Sequence, residues 1–153
     1  MNVAVLFQSL RGGTERAAHS LAEGFADRGH EVGVYPVTRF NAQFVLNADL
    51  IVLGTWTDGL FGLGAKPGQM SKLRSLPPLA HMPIAAFVTY EISPTKSLDK
   101  LVGWLRRQEA NVVAEAGFSR RRLTEGMDDF VTESLAGVDD ESSSETQEAS
   151  VDQ

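Results

Sequence analysis

The chain contains no cysteine. Disulfides, thiolate nucleophiles, cysteine-ligated zinc and iron–sulfur clusters are excluded with it. It has only three histidines, His19, His30 and His81. They are scattered, with no carboxylate at ligand spacing, so no metal site is expected. Aromatic residues make up 8% of the chain and do not interleave with the basic ones, which gives nucleic-acid binding no support. No apolar run approaches the roughly 20 residues of a membrane span. The first residues lack the basic segment of a signal peptide, and Val3–Phe7 reads as a strand, so no membrane association is expected and the expected location is the cytoplasm. The phosphate-loop ending GK[ST] and the full GxGxxG fingerprint are also missing.

What is present is an ordinary globular composition. The 153 residues are 42% hydrophobic, enough for one domain with a sizeable core. The net charge of −6 is unevenly placed. Residues 138–153 hold six acids and no base, whereas all 14 bases lie at or before Arg122, so the body is neutral (−6 + 6 = 0). The organisation expected is a domain over residues 1–137 followed by an acidic, Ser-rich tail over 138–153 with little to bury and no fixed structure.

Along the body, short apolar runs alternate with amphipathic ones. Asn2–Phe7, Glu31–Val37, Asp49–Thr55, Met82–Tyr90 and Asn111–Phe118 read as strands. Between them, Ala17, Leu21 and Phe25 mark a helix from Thr14 to Gly29, and Leu98, Leu101, Val102 and Leu105 mark another after Pro94. Asn41–Asn47 and Gly68–Leu76 suggest shorter helices, and Gly126–Ala136 a last one. Repeated strand–helix alternation predicts a parallel sheet with right-handed crossovers. The expected class is α/β: a three-layer, doubly wound, flavodoxin-like sandwich on a five-stranded parallel sheet of order 2-1-3-4-5. Ligands of such sheets lie beyond the carboxyl ends of the strands, at the switch between strands 1 and 3. The informative loops therefore follow Phe7, Thr55 and Tyr90.

The first loop reads Ser9-Leu10-Arg11-Gly12-Gly13-Thr14 and opens a helix. Unpaired N–H groups, glycines that admit close approach and two hydroxyls suit a phosphate. Thr14 as a simple cap with Gly12-Gly13 as a simple turn is the plain alternative. The second loop begins Thr55-Trp56-Thr57-Asp58-Gly59, where Trp56 is placed to stack on a flat ring or to fold back on its own loop. The third reads Thr89-Tyr90-Glu91. A phosphoacceptor receiver domain would need an acidic pair after strand 1 and an Asp ending strand 3, where this chain has Gln8-Ser9 and Gly54-Thr55.

Together, the first two loops resemble those of short-chain flavodoxins, whose phosphate loop has the form S/T-x-T-G-x-T and whose strand 3 is often followed by T-W-G-D. The resemblance follows the element order over about the first 136 residues. It implies flavin mononucleotide (FMN) as cofactor and electron transfer between a reductase and an acceptor redox protein, by a monomer with no catalytic side chain. Ser9 to Thr14 would hold the phosphate. Trp56 and Tyr90 would cover the ring, Asp58 would repel the reduced, anionic ring, and backbone of Thr57–Gly59 and Thr89–Glu91, next to Thr55, would meet its polar edge. Leu10, Arg11 and Thr57 depart from the family pattern. Two other readings stay open: an FMN-dependent NAD(P)H:quinone-type oxidoreductase, and an interaction module that has lost its cofactor. Ser119–Leu123 places three arginines together, read as a solvated loop or as a patch that steers an acidic or phosphate-bearing partner.

Overall fold

The computed structural model describes residues 1–60, 63–68, 70–73 and 76–151. Strand β1 (Asn2–Phe7) alternates strictly: Val3, Val5 and Phe7 face one side, Ala4 and Leu6 the other, and all five are buried. Period-2 side chains buried on both faces make β1 an interior strand. It is paired in parallel with β2 (Glu31–Pro36) and with β3 (Leu50–Leu60). Beyond β3 lie β5 (Pro83–Tyr90) and β6 (Asn111–Ser119), also parallel, which gives the order β2-β1-β3-β5-β6. This is the five-stranded doubly wound arrangement that the sequence predicts. β2, half-buried from Val32 onward and ending at Pro36, is an edge strand, as a proline requires.

A feature that the sequence reading does not contain is β4 (Leu63–Pro67). It runs antiparallel to the distal half of β3, with Thr57 opposite Pro67 and Asp58 opposite Lys66. β3 therefore does not stop at Thr55. Trp56 still pairs in parallel with Thr89 of β5, and the strand continues through Thr57, Asp58 and Gly59 into a hairpin. Expecting a loop there follows from glycine content, but glycine is tolerated in a strand where another group approaches closely.

Helix α1 (Gly13–Asp27) and the last helix, α5 (Met127–Val151), cover one face of the sheet; α2 (Ala42–Leu46), α3 (Met70–Leu73) and α4 (Thr95–Arg107) belong to the other. Ala17, Ala18, Leu21 and Phe25 of α1 join Val52, Phe87 and Phe130 in the first core. Leu101, Trp104 and Leu105 of α4 join Leu53 and Val88 in the second. Each fully buried Leu or Phe contributes about 1.5–3 kcal/mol. Trp104 is thus a packing residue.

α5 is longer than expected. Its last core contact is Val138, yet the acidic segment from Asp139 continues as helix to Val151. The upstream turns supply the nucleus, so extension needs no new initiation. Ser142, Ser143, Ser144 and Thr146 donate their hydroxyls to the carbonyls four residues back. Residues 142–148 of this extension are exposed, which explains why composition suggests disorder.

Candidate functional site

The carboxyl ends of β1, β3 and β5 open onto a cavity of about 610 Å³. Its floor is the β1–α1 turn. Gly12 caps α1 in the left-handed region, at φ +85°, where a side chain would be strained. Its N–H donates to Ser9 Oγ (3.0 Å), which closes the turn, and its carbonyl accepts the first helical bond, from the Arg16 N–H (3.0 Å). The N–H groups of Gly13, Thr14 and Glu15 precede that first bond and point out of the helix end, carrying its partial positive charge. Ser9, Gly13 and Thr14 line the cavity. Thr14 is itself buried, and its hydroxyl is 2.8 Å from that of Thr89. It fixes the start of α1 to the end of β5.

The walls carry charge. Arg11, Arg16 and Arg120 line the cavity, together with one carboxylate, Glu91. Arg120 comes from the turn after β6 and crosses to α1: a Cβ built on Gly13 would lie 3.9 Å from its Cγ and Nε. Its Nη1 is 3.6 Å from Glu91 Oε1. Arg121 and Arg122 are exposed. The three-arginine loop is thus divided, with one residue over the cavity and two in solvent, which sequence spacing does not distinguish.

The second loop contributes Trp56 and Thr57. Trp56 is only 5% exposed. Its indole packs against the backbone of Gly68, where a Cβ would come within 2.0 Å of Cε2. The contact is locked on both sides: Gly68 N–H donates to the Trp56 carbonyl (2.8 Å), and the buried Thr55 hydroxyl donates to the Gly68 carbonyl (3.1 Å). Trp56 therefore reaches the cavity as part of its wall, not as a ring on a free loop. The Thr57 hydroxyl is 2.7 Å from Ser97 Oγ. Ser97 gives its own proton to the Pro94 carbonyl (3.1 Å), so Thr57 is the donor. Asp58 and Gly59 carry the strand onward.

The third loop is split. Glu91 lines the cavity, whereas Thr89 is interior and Tyr90 is turned toward β6. Tyr90 lies beside Gly117, where a Cβ would be 3.2 Å from its Cε1, and it lines a separate recess of about 460 Å³ with Ser119, Arg122 and Glu125. So the structure brings Ser9, Leu10, Arg11, Gly13, Thr14, Trp56, Thr57 and Glu91 around one cavity. Gly12 shapes its floor, Thr55 and Thr89 support it from within, and Tyr90 stands apart. Two further residues line it: Arg16, which sequence does not single out, and Arg120, which sequence places only within the three-arginine loop. Arg16 carries a weak signal, one turn into the helix that the phosphate-like loop opens.

Among the described residues, no helix is long and apolar enough to cross a membrane, and no group of His, Asp and Glu is placed to hold a metal ion.

The family model described as Flavodoxin matches residues 5–153. Among solved structures, the two-electron reduced flavodoxin of Megasphaera elsdenii is 18% identical, with a TM-score of 0.73 over 90% of this chain and 98% of that one. The oxidised flavodoxin 1 of Bacillus cereus is 19% identical, with a TM-score of 0.65 over 88% and 97%. Rubredoxin oxygen:oxidoreductase of Desulfovibrio gigas is 19% identical, with a TM-score of 0.66 over 89% of this chain but 35% of the larger protein. No match was found among curated proteins.

Proposed function

This chain belongs to the flavodoxin family, and we propose that it carries electrons between a reductase and an acceptor redox protein, as a soluble monomer with FMN bound in the cavity described above. FMN is the cofactor of the family. The residues present fit it. Outward N–H groups of α1, the Ser9 hydroxyl and nearby guanidinium groups form a donor set for a phosphate, and about 610 Å³ lies within the range that holds ligands of this size. The cavity's position at the β1/β3 switch point is the observation that carries the proposal.

Bound FMN supplies the redox chemistry; the chain supplies position and electrostatics. Gly12 and Ser9 hold the turn in the shape that aims the α1 N–H groups at the phosphate. Trp56 forms an apolar wall that excludes water, backed by Gly68. Thr57, tied to Ser97, holds the adjacent backbone in place. Glu91 puts a negative charge at the rim, which disfavours added negative charge nearby. Each of these groups binds or orients; none needs to act as a general acid or nucleophile.

The test is a titration of purified protein with FMN, followed by stepwise reduction under visible spectroscopy. The expected result is one FMN per chain, reduced and reoxidised reversibly, with NAD(P)H oxidised only when a separate reductase is added. Absence of FMN binding overturns the reading. Steady NAD(P)H turnover by the protein alone replaces the carrier with an oxidoreductase.

A further inference from the structure

We propose that Arg120 is a phosphate-binding residue: its guanidinium leaves Glu91 and closes on the ligand's terminal phosphate over the first turn of α1. The inference rests on the FMN reading above and assigns a charged clamp to a turn far away in sequence.

Three observations converge. First, the cavity is charged in one sense. Three guanidinium groups (Arg11, Arg16, Arg120) face one carboxylate (Glu91), which leaves two positive charges in excess, the complement of a dianion. Among the described residues, neither Arg11 nor Arg16 has a salt-bridge partner. Second, Arg120 is already over the helix end. Its side chain runs past Gly13 at 3.9–4.0 Å from the position of a Cβ, beside the outward N–H groups. These are ordinary van der Waals distances, so the side chain lies directly along the first turn of the helix. Third, its present partner holds it loosely. The Arg120–Glu91 separation of 3.6 Å is longer than a charge-assisted hydrogen bond, and the Glu91 side chain is 67% exposed. A phosphate at the helix end offers a stronger, fork-matched acceptor. The backbone of Arg120 is fixed meanwhile, because its N–H donates to the Tyr90 carbonyl at 2.9 Å, so only the side chain has to turn.

The experiment compares FMN with riboflavin, which has the same ring and no phosphate, titrated into apoprotein at low and high NaCl. In wild type, FMN affinity is expected to fall with salt and riboflavin affinity to stay flat. Arg120→Gln should weaken FMN roughly tenfold or more, leave riboflavin unchanged and flatten the salt dependence. Arg121→Gln, in solvent, should change neither. Glu91→Gln removes the competing carboxylate and should tighten FMN a few-fold; it also carries the test should Arg120→Gln fail to fold. Equal FMN affinity and salt dependence in wild type and Arg120→Gln, or equal loss of FMN and riboflavin, would overturn the clamp while FMN binding by wild type leaves the carrier reading standing. A wild-type protein that binds neither flavin overturns both.

Discussion

The hydroxyls of Thr14 and Thr89, 75 positions apart in sequence, lie 2.8 Å from each other in the interior. They join the first turn of α1 to the carboxyl end of β5 at the point where the cavity opens. With both buried, either residue replaced alone leaves its partner unsatisfied. Thr14→Val or Thr89→Val should each cost about 1–3 kcal/mol in denaturant unfolding. The double variant should cost clearly less than the sum, because it removes both polar groups. Strict additivity would show that the pair does not interact.

Gly68 and Trp56 set a second expectation. A methyl group on Gly68 would overlap the indole at 2.0 Å. Gly68→Ala should destabilise by about 1–3 kcal/mol or more and shift the tryptophan fluorescence as the indole is displaced. An unchanged melting temperature and emission would mean that the indole is not seated there.

Trp56 is both buried and part of the cavity wall. Trp56→Ala should therefore lower stability by about 3–5 kcal/mol as well as weaken FMN binding. Trp56→Phe should recover most of the stability. A variant that loses FMN affinity with no change in unfolding midpoint would place the indole on a free loop instead.

The far part of α5 should respond to pH. Burial and the neighbouring Glu145 hold the Glu141 carboxyl above its ordinary value. The folded state therefore binds a proton more readily than the unfolded chain does. The associated stability is fully present below the unfolded value and is lost as pH rises through the folded one. Helicity of this segment, read by far-UV circular dichroism as the difference between the full chain and a chain ending at Val138, should increase on acidification from neutral pH. A flat difference across the carboxylate range would overturn it.

The same truncation should leave FMN affinity unchanged and global stability within about 0.5 kcal/mol, since Val138 is the last residue that reaches the core. Loss of bound FMN would make the acidic segment part of the site.

Much of this was legible in the sequence because the fold is carried by local periodicities. Val3, Val5 and Phe7 against Ala4 and Leu6 announce a strand buried on both faces, and Ala17, Leu21 and Phe25 announce a helix seated on it. Gly12-Gly13 ahead of that helix announces a tight turn at its start. What escaped reading depends on contacts between distant segments. β4 exists by pairing with β3, and Gly68 is required by an indole twelve residues earlier. Arg120 differs from Arg121 only in which side of a turn it leaves. Tyr90 turns toward β6 and lies beside Gly117, a fact of register that composition cannot express.

α5 begins just after three consecutive arginines and ends in a segment whose charges are all negative. At 1.5 Å per residue, its 25 residues span about 37 Å. The near end is mixed in charge, because Glu125, Asp128 and Asp129 follow the arginines, whereas the far end is uniformly acidic. At physiological ionic strength that far end lies several screening lengths from the start of the helix, so its charges add little to the potential in the cavity.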